Sequence, residues 1–171
     1  SSSVGNATIL GIAKGAGMIE PNMATMLSFF VTDAKLSSED LQDILERVVN
    51  KSFNRISIDS DTSTSDTVVI LANGLAGAVD AENFETALTN SAMQLAKEIA
   101  RDGEGATKLI ELTVSGAGSQ RMALQIAKSI RNSPRVKTAI HCADPNWFRF
   151  VIAVGKVFEY PVPLEDLSIN F

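Results

Sequence analysis

The chain has 171 residues, 45% hydrophobic and 20% charged, a balance that excludes disorder and fibrous repeats and leads us to expect one core-forming domain. Acidic side chains outnumber basic ones, 20 to 15, for a net charge of −5, which argues against nucleic acid and anionic membranes as partners. A single cysteine, Cys142, and a single histidine, His141, allow no internal disulfide and no zinc site, as expected in the cytoplasm; no apolar run approaches the roughly 20 residues of a membrane span, and residues 1–5 lack a signal-peptide layout.

Residues 7–13 (ATILGIA) are apolar and β-branched and predict a buried strand. Residues 14–24 (KGAGMIEPNMA) break that pattern with Gly15, Gly17, Pro21 and Asn22 and predict an irregular loop, before residues 25–32 (TMLSFFVT) resume as a strand. Ser37 or Ser38 can cap a helix that runs to about Phe53, with Leu41, Ile44, Leu45, Val48 and Val49 at helical spacing. Residues 55–59 alternate as a half-buried strand, and a polar run from Ser60 to Asp66 leads into a strand at 67–72 that Asn73-Gly74 should end. A second helix is expected over 82–101, stopped by Asp102-Gly103.

Residues 107–114 (TKLIELTV) give the clearest alternating strand, and 120–130 a third helix closed by Asn132-Ser133-Pro134. Residues 136–140 suit strand or helix, 147–154 (WFRFVIAV) read as a last strand, and a proline-bracketed tail covers 161–171. Strands interleaved with amphipathic helices define an α/β fold.

Chemistry-bearing clusters are few. The run from Asp59 to Asp66 alternates carboxylates and hydroxyls as a calcium loop does, but Thr64 and Ile70 stand where such a loop needs glycine and glutamate, so a polar turn bonding nearby backbone is the better reading. Lys14-Gly-Ala-Gly17 lacks the spacing of either phosphate-binding fingerprint and leads into a strand. Asp102-Gly-Glu-Gly105 reads as a helix stop and turn with Glu104 solvated. His141 and Cys142, adjacent on an extended segment, would point apart and form no nucleophile-base pair, leaving a buried, inert thiol. Thr25 reads as a strand residue unless an activating base is supplied. Cutting the Ala24–Thr25 peptide would supply one, an α-amino group of pKa about 7.7 to 8.0 on the same residue.

Taken together, Lys14-Gly-Ala-Gly-Met-Ile-Glu-Pro-Asn-Met-Ala-Thr-Met-Leu27 resembles the self-cleavage segment of the ornithine acetyltransferase (glutamate N-acetyltransferase) family of arginine biosynthesis. The resemblance continues through Thr32-Asp-Ala34, Ser52-Phe-Asn54, Ile58-Asp-Ser-Asp-Thr-Ser-Thr-Ser-Asp66, Leu71-Ala-Asn-Gly74, Gly103-Glu-Gly-Ala-Thr-Lys-Leu109, Val136-Lys-Thr-Ala139 and Asp144-Pro-Asn-Trp147, covering essentially the whole chain.

The resemblance implies part of an α/β/β/α sandwich and a precursor that cuts itself between Ala24 and Thr25. Residues 1–24 would end the first (alpha) chain, and residues 25–171 would form the first part of the second (beta) chain. Thr25 would then be the catalytic nucleophile, taking acetyl from N2-acetylornithine and passing it to glutamate. Lys14, Thr25 and Glu104 match substrate-binding positions. No cofactor or metal is implied, although acetyl-coenzyme A is an alternative donor, and the family's members are oligomers of the cytoplasm, or of the mitochondrial matrix in eukaryotes.

Family chains are about twice this length or more, and the present one starts without an initiator methionine, as expected of a processed chain or of a piece cut from a longer one. The oxyanion-hole Thr-Gly pair, a component whose loss costs about 10²- to 10³-fold in rate, is expected upstream, outside this sequence. Cys142 and Phe148 replace the family's usual glycines. An acetyltransferase completed by further segments or a partner chain is therefore one expectation, and a truncated, catalytically silent structural or assembly subunit is the other.

Overall fold

The structure, a computed structural model, describes residues 1–17, 19, 26–60 and 65–171. These form two compact units, Ser1–Ala106 and Thr107–Phe171. The expected chain boundary between Ala24 and Thr25 lies outside the described residues and is separate from this division.

In the first unit, β1 (Ser2–Val4), β2 (Ala7–Lys14) and β3 (Leu27–Lys35) pair antiparallel in sequence order, and β4 (Thr67–Ala78) joins β3 in parallel. A parallel neighbour cannot be reached through a tight turn. The chain crosses instead through α1 (Ser38–Lys51), which Ser37 caps by accepting from the Asp40 amide. After β4 comes α2 (Ala81–Arg101), capped in the same way by Asp80.

Alternation along the strands sends Ile9, Phe30 and Ala34 to one face, where Ile44 and Val48 of α1 and Phe84, Leu88 and Ala92 of α2 close over them. Phe30 is fully buried, 6.4 Å from the ring of Phe53. Its ring crosses Gly11, where an added Cβ would lie 2.6 Å from Phe30 Cε1 and 2.9 Å from Leu95 Cδ1. The other face carries Leu10, Val31 and Leu71 in one paired row and Ile12 and Phe29 in the next, and all five are exposed.

Residues 55–59 form no strand. Phe53–Arg55 is a 3₁₀ turn instead, with Phe53 buried near Phe30, and the extended backbone that follows at Ile56 joins no described strand ladder, because Ile58 donates to the Ile19 carbonyl in the loop after β2. Nor does Asn73-Gly74 end β4. Asn73 Oδ1 accepts from the Leu75 amide in a local turn, Gly74 and Gly77 adopt positive φ, and pairing resumes with Ala34 opposite Gly77 after a bulge. The turn chemistry is real, but it bulges the strand rather than terminating it.

The second unit is helical: α3 (Gln120–Arg131), α4 (Pro134–His141) and α5 (Phe148–Gly155). The ambiguous segment 136–140 falls in α4, which Ser133 caps with Pro134 at its first turn. The strand expected at 147–154 is α5. Its buried residues Phe150, Ala153 and Val154 recur at three- and four-residue steps and pack with Ile126, Ile130 and Val136, a helical period that a short apolar run disguises. Residues 107–114 form no strand either. Alternation specifies two faces but supplies no neighbour to complete the hydrogen bonds, and the described residues of this unit contain no other strand.

Phe30→Ala should cost about 3–5 kcal/mol by leaving a core void, and Gly11→Ala about 1–3 kcal/mol by pressing on the same ring; urea denaturation midpoints measure both. Arg47 and Lys51 of α1 bond Glu85 of α2 at 2.8 and 3.0 Å, and the bond from Arg47 above all holds the Glu85 carboxyl below its ordinary range. A depressed carboxylate stabilises the fold above its unfolded pKa and loses that contribution as pH falls through the folded one. Glu85→Gln should therefore lower Tm at neutral pH, by no more than about 1 kcal/mol of stability, and the difference should vanish in acid.

Candidate functional site

Four backbone segments meet at the end of the sheet where β2 stops and β3 begins. Lys14 closes β2 and is exposed, paired across the ladder with Leu27, which in turn faces Thr67. The loop that leaves Lys14 is tied at Ala16, whose carbonyl accepts from the Glu104 amide at 2.6 Å. It is tied again at Ile19, whose amide donates to Asp59 Oδ1 at 3.0 Å and whose carbonyl accepts from Ile58 at 2.7 Å. Beyond the residues not described, Met26 donates to Asp66 Oδ1 at 2.7 Å and accepts from the Thr67 amide at 3.0 Å. Ile19 and Met26 are both buried.

Glycine lets two of these segments close. At Gly17 an added Cβ would sit 3.1 Å from Glu104 Oε2, so this side of the loop lies directly against the Glu104 carboxylate. At Gly103 it would meet two Ile58 carbons at 3.2 Å, so the turn after α2 rests on the residue that bonds Ile19. Burial raises the Asp66 pKa, and the Met26 amide and the Lys14 charge oppose that rise.

Lys14 and Glu104, expected as substrate contacts, thus both border the loop of residues 15–19, and both are exposed. Ala24 and Thr25 fall outside the described residues, although Met26, joined directly to Thr25, is fixed at this site. Asp59 and Asp66 do bond backbone as the polar-turn reading holds, but across the chain instead of nearby, each to a residue 40 positions away. No periodicity marks such a contact; only the parallel register, invisible in one sequence, brings it about. Among the described residues no cluster of metal-ligating side chains exists.

His141 and Cys142 lie in the second unit. The segment is the end of α4 and not extended chain, His141 Nδ1 lies 3.1 Å from the Thr107 hydroxyl, and the Cys142 thiol is exposed, contrary to the expected burial, because α4 ends at the surface and residues 141–145 are all exposed. Phe148 starts α5 and is exposed. No helix among the described residues is long and apolar enough to cross a membrane.

The fold and site define an α/β protein in which Ile19 and Met26, between β2 and β3, are each held by a carboxylate from the crossover segment. The ArgJ family matches residues 1–171, and the chain belongs to that family. It is 57% identical over its whole length to the arginine biosynthesis bifunctional protein ArgJ 2 of Clostridium acetobutylicum, of which it covers 44%. It is 55% identical over 150 residues to the glutamate N-acetyltransferase of Methanocaldococcus jannaschii, with 85% of this chain and 37% of that protein aligned. The crystal structure of the arginine biosynthesis bifunctional protein argJ of Bacillus halodurans superposes with a TM-score of 0.73 at 49% identity, over 77% of this chain and 65% of that one. The chain therefore spans less than half the length of these curated relatives.

A carboxyl whose pKa is raised on folding stabilises below its unfolded pKa and loses that contribution as pH rises through the folded one. Asp66→Asn cannot ionise, so its Tm should gain on that of the parent chain as pH rises from acid to neutrality, a difference that thermal melts across that range would detect.

Proposed function

We propose that this chain supplies the nucleophile-bearing portion of an acetyltransferase that moves acetyl from N2-acetylornithine to glutamate. The observation that carries the reading is the placing of Lys14 and Glu104 about the pinned backbone of Ile19 and Met26, the described residues that flank Ala24 and Thr25 in sequence, in a chain similar over 85% or more of its length to proteins named for this activity.

The chemistry proceeds in two stages. In self-cleavage, the Thr25 hydroxyl attacks the carbonyl carbon of Ala24, the acyl group shifts from nitrogen to oxygen, and water hydrolyses the ester, leaving a carboxylate on Ala24 and an amine on Thr25. In turnover, that amine takes the hydroxyl proton as Thr25 attacks the acetyl carbonyl, and returns it to the departing ornithine nitrogen. The amino group of glutamate then attacks the acetyl-threonine ester and restores the hydroxyl. Lys14 is suited to a substrate carboxylate and Glu104 to a substrate ammonium. Acyl transfer of this kind needs no cofactor, and acetyl-coenzyme A enters as an alternative donor.

The exposed apolar rows on the free sheet face fit the second sheet of an α/β/β/α sandwich. In this reading that sheet and the oxyanion hole belong to family segments outside this sequence or to a partner chain, within a cytoplasmic oligomer.

Incubation of the purified chain followed by mass spectrometry should show fragments ending at Ala24 and starting at Thr25, and Thr25→Ala should abolish both cutting and acetyl transfer. Retained transfer in Thr25→Ala overturns the nucleophile assignment, and a chain that stays uncut points to the silent structural subunit.

A further inference from the structure

The run from Asp59 to Asp66 is acidic, its two terminal carboxylates bond Ile19 and Met26, and it has no part in the acetyl transfer described above. Its two terminal carboxylates make equivalent bonds. Asp59 Oδ1 accepts from the Ile19 amide at 3.0 Å and Asp66 Oδ1 from the Met26 amide at 2.7 Å, and each bond joins residues 40 apart in sequence. The spacing of the two carboxylates along the chain therefore equals that of the two amides they hold.

Each gripped residue is also tied at its carbonyl, Ile19 by the amide of Ile58 and Met26 by that of Thr67. Fixing both the N–H and the C=O of one residue restrains both peptide planes around its Cα. Both gripped residues are buried, where a bond to a charged acceptor is stronger than a neutral one. Ile19 and Met26 are the described residues that flank positions 20–25.

We propose that Asp59 and Asp66 are positioning residues for self-cleavage, gripping the two ends of the segment that contains the Ala24–Thr25 peptide. The role rests on the reading of Thr25 as nucleophile. Asp66 fixes the amide one bond beyond the Thr25 carbonyl carbon, so the backbone immediately after the nucleophile is held before, during and after the cut. Asp59 anchors the segment that precedes Ala24. Cleavage adds one water across the scissile peptide, leaving a carboxylate and an amine; neither clamp contains that peptide, so both survive its loss.

Amide exchange and cleavage test the proposal separately. In a Thr25→Ala background, where no cut is expected, Asp66→Ala should speed hydrogen exchange at the Met26 amide by about 10- to 100-fold while leaving Ile19 protected, and Asp59→Ala should do the reverse. With Thr25 present, Asp66→Ala should slow cleavage at least about tenfold. Asp66→Asn, which keeps an acceptor oxygen at the same reach, should restore most of both. Should Asp66→Ala fail to fold, Asp66→Ser, too short to reach Met26, serves in its place.

Unchanged exchange at Met26, or cleavage at the parent rate with the acceptor removed, overturns the proposal. A parent chain that neither cuts nor takes acetyl at Thr25 overturns the nucleophile reading and the positioning role with it. The exchange measurement, which needs no cleavage, tells that failure from failure of the clamp.

Discussion

The parallel pairing of β3 with β4 is the constraint from which the rest of the first unit follows. Because both strands run the same way, the chain must leave β3 at Lys35, travel back along the sheet through α1, and re-enter at Thr67. The return leg carries Asp59 and Asp66, and both carboxylates arrive near the end of the sheet where β3 begins. The register that pairs Leu27 with Thr67 sets Asp66 beside Met26. Had β4 joined as a hairpin, the same residues would lie at the opposite end, and the loop after β2 would have no carboxylate to accept its amides.

Within the first unit, helix packing completes this arrangement on one face. Alpha-helices α1 and α2 cover Ile9, Phe30 and Ala34, and the turn at Gly103 lets Glu104 reach Ala16. The other face pairs Leu10 with Val31 and Leu71 and leaves these apolar side chains exposed. A contiguous apolar surface in water is unfavourable by about 25 cal/mol for each Å² left exposed. That physical argument is what supports a second layer on this face in the proposed enzyme.

Legibility in the sequence followed the range of the forces involved. Helices α1, α2 and α3 could be read because their caps, periods and stops all lie within a few residues, and β2 because its apolar run is bracketed by glycine-rich turns. The segments 107–114 and 147–154 misled because alternation and apolar runs describe side-chain faces while a strand also needs a partner. As substrate contacts, Lys14 and Glu104 rest on resemblance alone, since nothing local distinguishes an exposed charge with a ligand from one without. Asp59 and Asp66 were read as local turn formers because the parallel ladder that carries them to Ile19 and Met26 is a long-range fact.

A self-cleaving site poses a mechanical problem that an ordinary active site does not. Before the cut, the nucleophile is positioned from both sides by the continuous chain; afterwards one of those connections is gone, and a free chain end gains conformational freedom worth about 1–2 kcal/mol for each backbone residue released. An enzyme that uses the same hydroxyl for cleavage and then for turnover must hold it in one place through that change. Under the proposed reaction, side-chain packing on Thr25 itself would serve poorly, because the space around its hydroxyl would have to admit first a peptide carbonyl and then an acetyl donor. Bonds to the backbone of the next residue avoid that conflict. The grip of Asp66 and Thr67 on Met26 lies on the side of the chain that keeps the nucleophile, so under the proposed reaction it is the restraint that cleavage leaves untouched.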